Sequence, residues 1–272
     1  MAAITPEEYA EPRCPLGKPV GRGEETVPQR RILEKLDEYL DRRDYAGAER
    51  HLLYWMEEAL QCRDDRGRLM IANELIGHYR KQGQRDKAFA RIAEALELLE
   101  TLSLTAGETA GTTCVNAATA CSAFGEDERA LELFVRARGI YESLPQAAPE
   151  LLGGLYNNMG LTLTALGRFA EAFQLFDKAL AEMEKTPDGT LERAITCLNM
   201  ADAWEACGAA GAEEKIGSLL DRAYALLLDP APPRDGYYAF VCEKCAPGFA
   251  HYGYAEAAQE LTDIAEKIYA GT

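Results

Sequence analysis

Long apolar runs are missing from this 272-residue sequence, and no stretch approaches the ~20 residues that span a membrane. The N-terminal stretch MAAITPEEYAEPR also lacks the basic start and the apolar run that define a secretory signal peptide. We therefore expect a cytoplasmic protein with no membrane-embedded part.

Positive charge is scarce as well, because 29 Lys and Arg residues stand against 45 Asp and Glu residues, a formal net charge of -16. Such a charge repels nucleic-acid phosphates and anionic lipid headgroups. The composition thus excludes nucleic acid and membrane surfaces as favoured partners. A neutral or cationic protein or peptide partner fits better.

Catalytic motifs are absent from the sequence. It contains no Gly-rich phosphate loop, no His-Glu-x-x-His, no nucleophile elbow and no Ser/His/Asp order, and it has only three histidines. Glutamates such as Glu94, Glu97 and Glu100 follow a helical surface pattern typical of solvated faces. We predict no enzyme, no catalytic residues and no cofactor.

Eight cysteines are present, and seven of them fall within or at the ends of helical patterns, which favours reduced, buried side chains. Cys242 and Cys245 have the C-x-x-C spacing of zinc and redox motifs. No second pair completes a four-ligand zinc site, and the helical pattern offers no strand before the motif for redox use. We predict no metal. His251 lies six residues after Cys245, so a three-ligand site remains an alternative.

Helical segments of twelve to seventeen residues, separated by turns and loops, dominate the sequence from Gln29 onward. Residues 1–26 are interrupted by Pro and Gly and are predicted to form an irregular N-terminal arm. The rest, residues 27–272, is predicted to be one array of six helical hairpins, each a first and a second helix. Their approximate ranges are 29–61, 68–101, 110–143, 150–185, 191–229 and 236–270.

A repeat of about forty residues runs through this array. Asn116, Gly125, Ala130, Phe134 and Ala137 recur as Asn158, Gly167, Ala172, Phe176 and Ala179. Turn glycines follow the same period, at Gly83, Gly125, Gly167, Gly208 and Gly253. Glycine suits the left-handed conformation that ends a helix. A unit this short cannot bury its own apolar face, so neighbouring copies are expected to stack into a solenoid.

These positions resemble the tetratricopeptide repeat, with a small residue in the first helix, a turn glycine, and alanine, aromatic and alanine in the second. The spacing is similar to the longer-helix variety of kinesin light chains. The resemblance implies an all-α solenoid coiled as a right-handed superhelix. Departures occur at Arg43 and Ile76, and at Thr262 and Pro247 in the last hairpin, where the proline is expected to kink or break the helix.

The first helices of such arrays line the concave surface, where polar residues are candidates for peptide contact. In related kinesin light chain-like arrays an asparagine ladder holds peptide ligands, so the resemblance implies the same for Asn116, Asn158 and Asn199. Amides donate and accept, so they can pair with peptide groups of any sequence. The predicted peptide-binding residues are Asn73, Glu74, Arg80, Asn116, Asn157, Asn158, Asn199 and Asp202. Alternatively, these asparagines bond neighbouring helices and tune packing.

We interpret the sequence as a non-catalytic scaffold or adaptor that binds a peptide segment. A ligand- or signal-peptide-sensing regulator is an alternative. A metal or redox enzyme centred on the last hairpin is a third, because Glu243, Lys244, His251 and Tyr252 lie near the cysteine pair and the proline. Aromatic residues of that hairpin, or the N-terminal arm, would also suit contact between copies of the chain.

Overall fold

Twelve α-helices follow one another in residues 26–271, the range that the computed structural model describes, and that range contains no strand. The arm predicted for residues 1–26 lies outside it except for its last residue. The helices are α1 (Gln29–Asp41), α2 (Tyr45–Cys62), α3 (Asp65–Lys81), α4 (Arg85–Thr101), α5 (Glu108–Ala123), α6 (Asp127–Glu142), α7 (Pro149–Ala165), α8 (Phe169–Met183), α9 (Thr190–Cys207), α10 (Ala212–Leu227), α11 (Gly236–His251) and α12 (Ala255–Tyr269). A 3₁₀ helix, Pro187–Gly189, precedes α9.

The turns between paired helices confirm the prediction made for the glycines. All five take positive φ, at Gly83 (67°), Gly125 (77°), Gly167 (71°), Gly208 (60°) and Gly253 (84°). Arg43 takes the same conformation in the first hairpin, with φ 56°, although it has a Cβ. A non-glycine residue in the left-handed conformation costs roughly 1 kcal/mol of stability. The first hairpin therefore forms the same turn as the others with a small backbone strain.

The repeated apolar positions form the core. Ala130, Phe134 and Ala137 are completely buried in α6, and Ala172, Phe176 and Ala179 are completely buried in α8. Small residues let two helix backbones approach, and the aromatic ring fills the space one turn later. In α7, a Cβ added to Gly160 would lie 2.6 Å from the Phe176 ring, so only glycine fits there.

Asp64 connects the start of the described chain to the second hairpin. Its carboxylate accepts hydrogen bonds from Gly67 N at 2.9 Å, which caps α3, and from Val27 N at 2.9 Å. Because Asp64 is 8% exposed, these bonds lie out of water. A buried carboxylate bonded to two backbone N–H groups positions the residues before α1.

Pro247 does not break α11, contrary to the stronger form of the sequence prediction. The helix is continuous from Gly236 to His251. Proline supplies no N–H at this level of the helix, so one i→i−4 hydrogen bond is missing within it. Its ring lines an open pocket of about 430 Å³ between α11 and α12, together with Ala246, Ala258 and Thr262.

The chain divides into two compact units, one ending at Phe124 and the other beginning at Gly125. In the first unit, α3 packs against α2, α4 and α5. In the second unit, α7 packs against α8 and α9, and α9 packs against α10 and α11. First helices of successive hairpins therefore lie side by side within each unit, which brings equivalent residues of neighbouring repeats close together.

Candidate functional site

The asparagines of the first unit connect neighbouring first helices. Asn73 on α3 donates from Nδ2 to Thr113 Oγ1 on α5 at 3.0 Å, and to Leu69 O in its own helix at 3.0 Å. Asn116 on α5 donates from Nδ2 to Asn73 Oδ1 at 3.2 Å. Both asparagines are half-buried. The two predicted asparagines of this unit are thus already bonded to each other.

A second amide pair lies in the second unit. Asn199 on α9 donates from Nδ2 to Asn157 Oδ1 on α7 at 2.9 Å, and Asn157 donates from Nδ2 to Asn158 Oδ1 at 3.3 Å. All three side chains are half-buried. The residue of α7 that reaches the next hairpin is therefore Asn157, whereas the repeat alignment pointed first to Asn158.

These pairs leave part of the Asn116 amide and part of the Asn199 amide unused. An asparagine side chain offers two N–H donors and an oxygen with two acceptor positions. Within the described part of the chain, no partner contacts Oδ1 of Asn116 or Oδ1 of Asn199. We call the surface of Asn73 and Asn116 the first asparagine face, and that of Asn157, Asn158 and Asn199 the second. Each face combines fixed amides with unused acceptors.

Two charged candidates, Glu74 and Arg80, are half-buried on α3, the helix that carries Asn73. Burial raises the pKa of Glu74, and the nearby Asp37 carboxylate raises it further. Burial lowers the pKa of Arg80, whose guanidinium has no acidic partner among the described residues. An unpaired, partly desolvated guanidinium favours a bound anion. The role of Arg80 in peptide binding stays a prediction.

Asp202, the remaining candidate, belongs to a polar cluster between α9 and the end of α11. Tyr252 donates from its hydroxyl to Asp202 Oδ1 at 2.9 Å and to Glu205 Oε2 at 3.4 Å. His251 Nε2 lies 3.0 Å from both carboxylate oxygens of Glu205. Burial raises the pKa of Asp202, an effect opposed by the hydrogen bond from Tyr252.

Asp202 was predicted to act with the asparagines, but its contact with Tyr252, directly after α11, was not predicted. About fifty residues separate Asp202 from Tyr252, and the contact depends on how two first helices stack. The repeat period offered one usable signal, because Asp202 and Tyr252 both lie near the ends of consecutive first helices.

The cysteine pair of α11 is inaccessible. Cys242 is completely buried and Cys245 is 2% exposed. Burial raises the pKa of Cys245 to about 12 and also raises that of Cys242, so both stay protonated thiols at neutral pH. His251 points to Glu205 on α9 instead of joining the thiols. Within residues 26–271, no group of three or more His, Cys, Asp or Glu side chains has an arrangement that could hold a metal ion.

The aromatic residues of the last hairpin divide into buried and exposed groups. Tyr238 is 1% exposed and Phe249 is completely buried, whereas Tyr237 and Phe240 are 49% and 50% exposed. The rings of Tyr237 and Phe240 stack with their centroids 6.3 Å apart. Tyr237 also donates its hydroxyl to Glu192 on α9. The buried rings close the core. Contact between copies of the chain through the exposed pair stays a prediction.

None of the helices within residues 26–271 combines the length and apolar character needed to cross a bilayer. The cytoplasmic location stays a prediction.

Comparison with known proteins agrees with the repeat geometry. Residues 153–186, which cover most of α7 and all of α8, match the family model of the tetratricopeptide repeat. No curated protein matches the sequence. The family-model match and the fold confirm the resemblance to tetratricopeptide repeats predicted from the turn glycines and the small residues.

Several solved structures share this fold at low sequence identity. BtubC (BKLC) from P. vanneervenii is 21% identical, with a TM-score of 0.62 over 72% of this chain and 78% of that one. A Podosopora anserina protein of the kinesin light chain type, with nearly identical tetratricopeptide-like repeats, is 20% identical, with a TM-score of 0.55 over 74% of this chain and 97% of that one. A Rap protein complexed with competence and sporulation factor is 13% identical, with a TM-score of 0.53 over 90% of this chain and 77% of that one.

Proposed function

For a chain that carries a tetratricopeptide repeat within an all-α solenoid, we propose a non-catalytic scaffold that binds a peptide segment of a protein partner. The observation that carries the proposal is the pairing of amides between neighbouring first helices, Asn116 with Asn73 and Asn199 with Asn157. These bonds hold the amides in place before any ligand arrives. Binding to a pre-organised surface costs less conformational entropy.

The chemistry of each face suits an extended peptide. Unused amide oxygens accept hydrogen bonds from peptide N–H groups, and the remaining Nδ2 hydrogens donate to peptide carbonyls. On the first face, Arg80 would pair with an acidic group of the ligand, and Glu74 lies beside Asn73. On the second face, Asp202 would receive a basic group.

A packing role is the alternative reading of the same asparagines, and it explains the amide–amide bonds without any ligand. The two readings differ in what the amides do besides stabilising the fold. If they act only in packing, their removal changes stability and leaves the affinity of folded protein for a partner unchanged.

Regulation by a bound signal is a second candidate function. It draws support from the Rap protein of similar fold, which was solved with competence and sporulation factor bound. A regulator would change conformation when a peptide occupies an asparagine face, whereas a scaffold would hold its partner without such a change.

The experiment selects ligands for the full chain from a displayed peptide library and measures their affinities by fluorescence anisotropy. Two double variants test the faces separately, Asn73→Ala/Asn116→Ala and Asn157→Ala/Asn199→Ala. Gln174→Ala/Asp221→Ala serves as the matched control, since both of its residues are exposed on second helices.

We expect one of the asparagine variants to weaken binding more than about tenfold, the effect of losing roughly 1.4 kcal/mol or more of peptide hydrogen bonding. The control should bind as the wild type does. The proposal is wrong if both asparagine variants bind selected peptides with wild-type affinity. Hydrogen exchange of the free and the peptide-bound protein then distinguishes the two functions, because a regulator changes conformation on binding and a scaffold does not.

A further inference from the structure

Two exposed aromatic rings lie on α11, in the second unit. Tyr237 and Phe240 are each about half exposed, and their rings stack on each other. At the register of Phe240, thirteen residues before the turn glycine, α7 carries Gly154 and α9 carries the buried Ile195. Among the first helices of the second unit, only α11 therefore has a large exposed ring at this register.

The aromatic pair lies on a side of α11 that contacts α9. Tyr237 donates its hydroxyl to Glu192 in the first turn of α9. Tyr252, directly after α11, donates its hydroxyl to Asp202 near the end of α9 at 2.9 Å. The two helices are thus bridged near both ends, and Phe240 lies between the bridges.

This side is continuous with the second asparagine face. Glu192 and Asn199 are seven residues apart, which is two helical turns, so they share one face of α9. Phe240 and Lys244 are four residues apart and share one face of α11. Lys244 occupies the register of Asn199, nine residues before the turn glycine. The aromatic pair therefore lies one hairpin beyond the paired amides.

An open position completes the surface. A Cβ built on Gly154 would meet no atom within 4 Å. Helix α9 packs against both α7 and α11, so Ile195 lies between the registers of Gly154 and Phe240. The fold thus places an empty position, a buried aliphatic side chain and an exposed ring side by side. We call Gly154, Ile195, Tyr237 and Phe240 the aromatic hollow.

Acidic side chains border the aromatic hollow. Glu192 lies at the start of α9, and Asp202 and Glu205 lie near its end. Lys244 is the one Lys or Arg on the face that Phe240 shares on α11. Three carboxylates against one ammonium give this surface a negative potential, in a chain whose net charge is already -16. Such a potential favours a basic ligand and disfavours an acidic one.

We propose that the aromatic hollow anchors one large apolar side chain of a basic peptide segment. The proposal rests on the peptide-binding function proposed above and adds which peptides bind. An aliphatic or aromatic side chain packed against Phe240 would remove apolar surface of both partners from water. Lys or Arg residues next to it in the peptide would meet the bordering carboxylates.

A ligand-free account of the pair also exists, because rings three residues apart stabilise a helix by stacking. That account explains the contact between Tyr237 and Phe240. It does not explain why both rings stay half exposed beside the amides, or why α7 has an open position at the same register. The two accounts differ in whether Phe240 affects affinity or only stability.

The test selects ligands for the full-length chain from a random displayed peptide library. We expect the selected peptides to share one large apolar residue and at least one Lys or Arg. Each is then made with that apolar residue intact or replaced by alanine, and fluorescence anisotropy measures binding to wild-type protein and to Phe240→Ala. Leu53→Ala, which truncates an exposed apolar side chain on α2, is the control.

These four affinities form a double-mutant cycle across the interface. Truncating the peptide residue or Phe240 alone should weaken binding about tenfold or more, as expected for an anchor residue. Truncating both should weaken binding little more than either change alone, because one contact is lost in each case. Leu53→Ala should bind both peptides as the wild type does. Additive effects of the two truncations would overturn the proposal.

A second pair of variants fills the hollow and leaves its rings in place. Gly154→Leu adds a side chain where a Cβ meets no atom within 4 Å, and Gly139→Leu does the same on α6. Both exchange a helical glycine for a good helix former, so both should fold. Gly154→Leu should weaken binding about tenfold, and Gly139→Leu should not. Equal affinities of the two variants would contradict the hollow.

The anchor and the proposed function fail in different ways. Peptides that bind Phe240→Ala and Gly154→Leu normally but respond to Asn157→Ala/Asn199→Ala would refute the anchor and keep the function. Peptides that respond to Phe240→Ala and to neither asparagine variant would keep the anchor and refute the role of the amides. A library that yields no ligand, or only acidic ones, would overturn the anchor. So would a wild-type dimer that Phe240→Ala converts to monomer in sedimentation velocity, because the pair would then join two copies of the chain.

Discussion

The hydrogen bond between Asn199 and Asn157 allows a quantitative test of what the asparagines contribute to the fold. The bond is 2.9 Å long and links α9 to α7, while Asn157 also donates to Asn158 at 3.3 Å. The perturbation is a double-mutant cycle of Asn157→Ala, Asn199→Ala and both together. Each single change leaves one half-buried amide without its partner, and the double change removes both.

The expected magnitude follows from the geometry. A well-formed amide hydrogen bond contributes about 1 kcal/mol net to stability. An amide left without its partner adds a desolvation cost, which is about 1 kcal/mol here because the side chain is only half-buried. Asn157→Ala should cost more than Asn199→Ala because it also removes the bond to Asn158. The double variant should cost about 1 kcal/mol less than the sum of the single variants.

Urea unfolding monitored by circular dichroism measures this coupling. With an m-value of about 3 kcal/mol per M, 1 kcal/mol corresponds to a midpoint difference of about 0.3 M. Additive single changes, with no coupling beyond error, would refute the inference that this amide pair stabilises the second unit. The control pair Gln174→Ala/Asp221→Ala, on exposed positions of two second helices, should be additive.

Three further predictions concern α2, α3 and α11. Burial raises the pKa of Cys245 to about 12, so iodoacetamide at neutral pH should modify it in urea but not in the folded protein; rapid native labelling detected by mass spectrometry would contradict this. Pro247→Ala restores a helical N–H and should raise the free energy of unfolding by about 1–3 kcal/mol; an unchanged or lower urea midpoint would show that the missing donor has no cost here. Burial lowers the pKa of His51 and His78 from the ordinary 6.5, so the unfolded chain binds protons more readily. The contribution of the two neutral histidines to stability is therefore complete above pH 6.5 and is lost as the pH falls through their folded-state pKa. Wild-type protein should lose more stability on acidification than His51→Leu/His78→Leu. Urea midpoints at several pH values measure the difference.

The repeat was predictable because its chemistry is local. Gly83, Gly125 and Gly167 mark turns that require positive φ, and that requirement appears directly as a residue type. Ala130 and Phe134 likewise reveal, by residue type alone, a small and a large position on one helix face. The continuity of α11 through Pro247 was harder to foresee, because neighbouring helices can hold a helix together that would break in isolation.

The candidate site was predictable only in part. Asparagines could be placed on first helices from their distance to the turn glycine. Whether Asn157 or Asn158 reaches Asn199 depends on the rotation of α7 about its own axis, and a repeat alignment does not resolve adjacent residues at that level. The peptide-binding role of these side chains stays a prediction that the affinity experiments address.

Sequence alone determined that the chain is a helical repeat, because helix period, turn glycines and small core residues are properties of short segments. Tertiary structure decided which repeats touch through which atoms. It brought Tyr252 to Asp202 across fifty residues and left an open space beside Gly217. Such contacts depend on the packing of one helix against the next, where small rotations move side chains by several ångströms, and no local pattern encodes them.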